Sequence, residues 1–329
     1  MRKFGIIVAL ALLVMGCDDP APIGNPREIN FSSLYNRALI ESVTDLQGEG
    51  IKVYGDYYLG NGVRTTVFNG ERVYYDNTLP GWTYDNTQFW ISKAYYNFYA
   101  VSPNKYAADQ YELPCTYSAE SESVTITDYS CLSGGDDLLY AVQSRDLTTE
   151  DDFSAVPLNF RHACAALKFN IINASNAAVT RVRNIRLVTV YNRGDFTFKS
   201  DGTATWTLKG DRLAEDSQDL GGSCDLPSDG LPVNLNYKHP LYNYGTILVL
   251  PQSIYKTDVT LHLEYTYSTA GNPKDSDYSI RNIKLGQLGG NTPTEWKPGQ
   301  RYEYNLTITA NTITTEVRVI DWVDHYVDL

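Results

Sequence analysis

Histidine and basic side chains are scarce in this chain of 329 residues. The 27 lysines and arginines are outnumbered by 39 aspartates and glutamates, and the net charge is −12. This balance argues against nucleic acid as a partner, because phosphates require a basic protein surface. The histidines have no metal-ligand spacing such as His-x-x-x-His. There are four of them, His162, His239, His262 and His325.

Motifs of the common enzyme classes are also missing. The sequence contains no Gly-x-Ser-x-Gly, phosphate loop or dinucleotide fingerprint. His262 and Glu264 would share one face of a strand, but a solvated pair accounts for them better than a metal site. The pairs Asp136-Asp137 and Asp151-Asp152 fit no calcium-loop pattern and are expected to be solvated turn acids. We therefore predict a protein that is not an enzyme and has neither metal nor cofactor.

No long stretch outside the N-terminus keeps a helical period, which excludes a mainly helical fold. The 26 tyrosines and 24 glycines are typical of strands and turns. A hairpin is predicted from Val63–Phe68 and Arg72–Tyr75 about the turn Asn69-Gly70. Together these features predict an all-β protein. Later strands are expected at Ile185–Val190, Thr203–Leu208, Thr246–Leu250 and Val259–Tyr267, and in the alternation Tyr302, Tyr304, Leu306, Ile308.

The stretch Val156–Ile171 lies near the middle of the chain and is predicted to contain two strands. Its apolar residues alternate with polar ones, as in half-buried strands. Upstream, residues 148–154 are polar and acidic, which is typical of a connection between domains. We place a boundary near Asp152, and predict one domain over residues 29–152 and a second over residues 153–329.

The N-terminus carries an export signal. Arg2 and Lys3 precede an apolar run, Phe4–Val14, that would rise only ~16 Å as a helix, too little to span a bilayer core of ~30 Å. Residues 1–16 are therefore predicted to be a signal peptide. The run ends in Val14-Met15-Gly16-Cys17, which resembles a bacterial lipobox and predicts acylation of Cys17, with palmitate among the chains, followed by a lipidated tether over residues 17–28. An ordinary signal peptide with a chance cysteine is the alternative.

Four cysteines follow Cys17. Cys115 and Cys131 flank a segment with the pattern of a returning strand, so a disulfide across that hairpin is one expectation. Cys164 and Cys224 are expected to be buried or unpaired thiols. The connectivity stays open.

A series of aromatic motifs resembles the fimbrillin family of Bacteroidetes pilins. The motifs occur in the family's order and continue to Trp322. No single one is specific, since aromatic residues on strands are usually core. They are Gly81-Trp82-Thr83-Tyr84, Phe89-Trp90, Tyr95–Pro103, Leu158–His162, Leu248–Gln252, Trp296–Tyr304 and Val319–Trp322.

The resemblance implies two tandem transthyretin-like β-sandwich domains and a role as a structural subunit of surface fimbriae, contributing to cell adhesion. It implies a lipoprotein precursor on the outer membrane that an Arg-specific protease activates. Arg37 matches the cleavage point, with Arg27 as a rival, and Ile29–Ser33 would be the strand removed. A strand from another fimbrial subunit, in a homo- or hetero-polymer, would then fill the exposed groove. The run Thr312–Leu329 is either a donated strand or a strand of its own domain.

A second function is consistent with the same composition. The protein could be a monomeric surface lipoprotein that binds a glycan or a host ligand through exposed tyrosines and tryptophans. Aromatic content alone does not separate the two, because 12% suits both a β core and a sugar-binding face. The segment between Cys17 and the first domain discriminates them, since a pilin needs a removable strand there and a binding protein needs only a tether.

Replacing the lipobox cysteine tests the attachment. We expect Cys17→Ala to release the protein from the membrane fraction or to leave it unprocessed, because no acyl chains can be added. Fractionation of cells followed by mass measurement of the N-terminus checks this, with Asp18→Ala as the matched control. A Cys17→Ala protein that stays in the membrane after normal signal cleavage would contradict the lipobox.

Overall fold

A computed structural model of the chain describes residues 27–32, 50–60, 62–78, 81–103, 113–131, 137–149, 151–174, 180–210, 218–219, 224–226, 233–234, 246–255, 257–267, 274–290, 292–309 and 312–321. These residues form strands and two short 3-10 helices, Asp275–Asp277 and Leu285–Gln287, and contain no α-helix. Within them, no helix is long and apolar enough to cross a membrane. The all-β prediction is confirmed.

The strands up to the middle of the chain are β1 (Phe31–Ser32), β2 (Ile51–Tyr58), β3 (Arg64–Asp76), β4 (Gly81–Thr83), β5 (Tyr95–Ser102), β6 (Cys115–Ser118), β7 (Ser123–Ser130), β8 (Leu139–Asp146), β9 (Val156–Pro157), β10 (Arg161–His162), β11 (Ala165–Asn173) and β12 (Thr180–Val188). They are followed by β13 (Arg193–Lys199), β14 (Ala204–Lys209), β15 (Gln218–Asp219), β16 (Cys224–Leu226), β17 (Val233–Asn234), β18 (Thr246–Val249), β19 (Gln252–Ser253), β20 (Thr260–Thr266), β21 (Ser279–Lys284), β22 (Glu295–Trp296), β23 (Gln300–Ile308) and β24 (Ile313–Asp321).

Four larger sheets are built from these strands. The first has the order β10-β8-β5-β2-β3-β4 and the second β14-β13-β7-β6. The third has the order β17-β11-β23-β24, with β18 also on β11, and the fourth β15-β12-β20-β21, with β16 also on β12. Two short pairs, β1-β9 and β19-β22, complete the pairing in the described residues.

Strands beyond Asp152 complete the sheets that precede it. Hairpin β13–β14 pairs with β7, and β10 pairs with β8. Phe196 and Phe198 of the hairpin are buried in one cluster with Tyr99 and Val124. The proposed boundary stays a prediction, but the first two sheets need residues from both sides of it.

The later sheets enclose a separate cluster. β11 and β23 run parallel at its centre, and Phe169 stacks on Tyr304 with ring centroids 5.2 Å apart. The Trp296 indole N–H donates to the Tyr304 hydroxyl at 3.0 Å. The predicted alternation in β23 is confirmed, because Tyr302, Tyr304, Leu306 and Ile308 are all buried.

The hairpin predicted at Asn69-Gly70 is wrong. Residues 64–76 form one continuous strand, β3, whose residues 64–73 pair with β2 and whose residues 74–76 pair with β4. Gly70 has φ +78°, and the register shifts there, since Glu71 pairs with Val53 and Asn69 with Tyr54. The glycine therefore supplies the positive φ of a β-bulge rather than of a turn. A local Asn-Gly signal cannot distinguish the two when a long partner strand is available.

The disulfide expected between Cys115 and Cys131 is not formed in the structure. Cys115 in β6 lies opposite Ile126, whereas Cys131 follows the end of β7. The distance along β7 is ~16 Å at ~3.3 Å per residue, while a disulfide needs Cα atoms within about 7 Å. Cys164 is buried, as expected, and burial raises the pKa of the Cys131 thiol to about 12. The side chain of Cys224 lies outside the described residues.

Replacing a buried ring of hairpin β13–β14 tests whether strands on both sides of Asp152 stabilise the same sheets, an arrangement called the interlock below. We expect Phe196→Ala to lower the free energy of unfolding by about 3–5 kcal/mol, because it empties a fully buried site. Denaturant unfolding with Thr205→Ala, an exposed position in β14, as control measures the loss. Hydrogen exchange should show weakened protection in β7 and β8. Weakening confined to β11 and β23 would contradict the interlock.

Candidate functional site

Residues 27–32 lie as a short extended segment in a groove between two distant parts of the chain. On one side they run antiparallel to residues 88–90. The backbone N–H of Ile29 donates to the carbonyl of Gln88 at 2.8 Å, and that of Trp90 donates to the carbonyl of Arg27 at 2.9 Å. Residues 88–90, which form one wall of the groove, therefore hydrogen-bond to the segment as a neighbouring strand would.

The other wall is β9, which pairs with β1 in parallel. The backbone N–H of Val156 donates to the carbonyl of Asn30, and that of Leu158 donates to the carbonyl of Ser32, both at 2.7 Å. Sequence reasoning assigned this stretch to the start of a second domain. It missed that the stretch holds the first segment in place, because a parallel pairing across more than a hundred residues leaves no local signal.

Two side chains of the segment point into the core. Ile29 is fully buried and Phe31 is 5% exposed, whereas the alternating Glu28 and Asn30 are exposed. Phe31 makes edge contacts with the rings of Phe68, Tyr84 and Phe98, whose centroids lie 5.4, 5.8 and 6.0 Å away. Burial of the two side chains contributes about 3–6 kcal/mol. The segment is thus held by both backbone and side chains.

Tyr84 ties the segment to its wall. Its hydroxyl donates to the carbonyl of Ile29 at 2.6 Å and accepts the backbone N–H of Gln88 at 3.2 Å. Burial raises the pKa of this phenol, so it stays a donor at neutral pH. Sequence reasoning found Tyr84 only as part of an aromatic motif.

The residues proposed for processing occupy different positions relative to the groove. Residues 29–32 of the segment expected to be removed lie in it, while Ser33, Arg37 and the lipidation residue Cys17 lie outside the described residues. The rival Arg27 is exposed, and its guanidinium lies 4.9 Å from the centroid of the Phe153 ring. A cut after Arg27 would leave Ile29 and Phe31 in the groove.

Asp137 differs from the expectation of a solvated turn acid, and its neighbour Asp136 lies outside the described residues. Asp137 is buried, and its carboxylate lies 2.6 Å from Nδ1 of His162, whose ring is buried too. Asp151 and Asp152 are exposed, as expected. Asp137 is buried because it pairs with His162, 25 residues away in the sequence, and no local sequence pattern indicates that contact.

Two further polar candidates have structural partners, while His239 and His325 lie outside the described residues. Nδ1 of His262 lies 2.8 Å from the side-chain oxygen of Asn282, and Glu264 pairs with Arg183 at 2.7 Å. In the described part of the chain, no group of three or more histidine, cysteine, aspartate or glutamate side chains is placed to hold a metal ion.

A buried charge network was missed in the sequence. Asp56 is fully buried between the first two sheets, where it accepts from the Tyr117 hydroxyl at 2.6 Å and pairs with Arg64. Arg64 also reaches Glu122 at 2.5 Å. Burial raises the pKa of Asp56. The network fastens β2 and β3 to the turn before β7, behind the groove.

Known proteins share sequence and fold features with this chain. A model of the fimbrillin-like family matches residues 41–322. The chain belongs to this family. Fimbrillin-like proteins are structural rather than enzymatic, and membership implies a fimbrial subunit at the cell surface. No curated protein sequence matches the chain.

One solved structure shows the same fold, and a second is similar over most of its length. A fimbrial protein from Bacteroides vulgatus superposes with a TM-score of 0.60 at 16% identity, over 90% of this chain and 100% of that one. A fimbrilin from Porphyromonas gingivalis is 12% identical with a TM-score of 0.44, over 90% of this chain and 97% of that one. The first of these supports the β-sandwich architecture of this fimbrillin-like chain.

Removing the Tyr84 hydroxyl tests how the segment is held. We expect Tyr84→Phe to lower the free energy of unfolding by about 1–3 kcal/mol, because the Ile29 carbonyl and the Gln88 N–H lose a partner in a part-buried site. Hydrogen exchange in residues 27–32 should speed up. Tyr74→Phe, which removes an exposed hydrogen bond from the Tyr74 hydroxyl to Asp85, is the control and should change nothing measurable. Equal effects in both variants would contradict this role.

Proposed function

We propose that this fimbrillin-like protein is exported as a lipoprotein precursor and activated by removal of residues up to Arg37. Acylation at Cys17 would hold the precursor on the surface of the outer membrane. An Arg-specific protease would then release the lipid together with the first strand. Strand exchange between subunits, as a homo- or hetero-polymer, would build the fimbria and support cell adhesion.

The seating of residues 27–32 is the observation that carries this proposal. The segment contacts the rest of the chain as one strand contacts its neighbours, through hydrogen bonds on both sides and two buried side chains. Its withdrawal would leave the N–H groups of Trp90, Val156 and Leu158 without partners beside an apolar groove. An extended segment from another subunit would restore both the hydrogen bonds and the burial.

The geometry favours Arg37 over Arg27 as the cleavage point. A strand leaves the groove only if the chain is cut on the C-terminal side of Phe31. Arg27 precedes both buried side chains, so cleavage there removes the lipid and keeps the groove filled. Arg37 follows them in the sequence, and cleavage there frees the whole segment.

The donor strand is not assigned. Residues 313–321 pair with β23 at nine positions, so this part of the C-terminal run belongs to its own sheet here. Residues 322–329 lie outside the described residues. Donation by β24 would require breaking that pairing, which a separate subunit carrying an unpaired strand would avoid.

Proteolysis of the purified precursor tests the mechanism. We expect an Arg-specific protease to yield detergent-resistant multimers that heat dissociates, because inserted strands restore the pairing. Arg37→Ala should abolish these multimers, while the control Arg27→Ala should form them normally. Gel electrophoresis with and without heating, together with electron microscopy, gives the readout.

Two outcomes would overturn strand exchange. One is normal multimer formation by Arg37→Ala, and the other is a stable monomer after complete cleavage at Arg37. Either result would favour the monomeric lipoprotein that binds a glycan or a host ligand.

A further inference from the structure

The side chains of the segment in the groove alternate between solvent and the core. Along residues 28–31 the side chains are exposed, buried, exposed and buried. The two buried sites take an aliphatic side chain at position 29 and an aromatic one at position 31. A filling strand must therefore carry two apolar side chains separated by one residue, because successive side chains of a strand point to opposite faces.

The two buried sites differ in chemistry. The site of Phe31 is lined by the rings of Phe68, Tyr84 and Phe98, all at edge-on angles between 61° and 85°. Edge-to-face contacts favour an aromatic occupant beyond the area it buries. The site of Ile29 adjoins the Tyr84 hydroxyl, which is bonded to the backbone there. Exchanging the two occupants would place a larger ring in the fully buried site that now holds Ile29, and would leave the aromatic site with an aliphatic occupant.

The walls also set the direction of the strand. One wall pairs antiparallel through Gln88 and Trp90, and the other pairs parallel through β9. A strand running the other way would reverse both relations. Its backbone groups would then no longer meet the same N–H and carbonyl groups while its side chains kept their sites.

We infer that the groove is selective, and that it accepts a strand of another subunit only if that strand carries an aliphatic–polar–aromatic triad and runs parallel to β9. This inference rests on the proposed strand exchange and names the chemistry of the partner. Ile29-Asn30-Phe31 is the resident example of the triad.

A vacated groove tests the selectivity without proteolysis. In the full-length variant Ile29→Asp with Phe31→Asp, two carboxylates would have to be buried, so the segment should leave its place. Labelled peptides are then added and their binding is followed by fluorescence anisotropy. The first peptide carries residues 27–34, Arg-Glu-Ile-Asn-Phe-Ser-Ser-Leu, the second has Ile and Phe exchanged, and the third has the sequence reversed.

We expect saturable binding of the first peptide and binding at least about tenfold weaker for both the exchanged and the reversed peptides, because the reversed sequence also presents Phe-Asn-Ile when it runs parallel to β9. An affinity of either altered peptide within about threefold of that of the first would overturn the selectivity. So would an absence of binding by the first peptide to a variant that keeps hydrogen-exchange protection in β11 and β23. These outcomes do not depend on cleavage at Arg37, so a failure of the proposed processing is seen separately.

Swapping residues 29 and 31 within the chain tests the same inference if the double aspartate variant does not fold. The variant Ile29→Phe with Phe31→Ile keeps composition and total hydrophobicity. We expect its thermal midpoint to fall by at least about 4 °C, with faster exchange in residues 27–32. An unchanged midpoint would show that the groove does not distinguish the two sites and would overturn the inference.

Discussion

The backbone groups that face residues 27–32 impose the constraint on which the rest of the structure depends. A buried N–H or carbonyl group without a partner destabilises a fold, and here two walls present such groups to the same narrow space. Residues 88–90 form one wall, and β9 forms the other. Neither wall can pair with the other while the apolar sites between them are filled. The fold is therefore complete only when a third extended segment lies in the groove.

The segment that fills the groove contributes little to the core. It enters the core through two side chains, while Arg27, Glu28 and Asn30 are exposed and Ser32 is half-buried. It is short, and it is attached covalently at its ends only. The strand exchange proposed above would replace this segment with an equivalent one without rebuilding the sheets around it. Under that proposal, assembly would use contacts that the chain already makes within itself.

The scaffold behind the groove is formed by both halves of the chain. Hairpin β13–β14 continues the sheet begun by β6 and β7, and the Trp206 indole N–H donates to the Ala163 carbonyl at 2.7 Å. The buried carboxylate of Asp56 is paired within the same region. Since residues before and after Asp152 share these sheets, the groove walls are held by long-range contacts. The proposed strand exchange would require such a frame, because the groove would have to keep its shape while its occupant changed.

Period-two alternation was sufficient to predict the all-β class and the buried face of β23, and the aromatic motifs carried the resemblance to the family. These properties follow from the side chains of neighbouring residues, because a half-buried strand must alternate whatever its partner is. The N-terminal strand, Ile29–Ser33, was implied in the sequence by the resemblance to the family. Partners distant in the chain were decided only by the tertiary structure. Gly70 became a bulge because β2 extends beside it, Asp137 became buried because His162 lies against it, and Cys115 lies away from Cys131 because of the register of β6 with β7. The parallel pairing of β1 with β9 belongs to the same class, since the pairing partner of a strand is fixed by three-dimensional packing and not by the residues next to it in sequence.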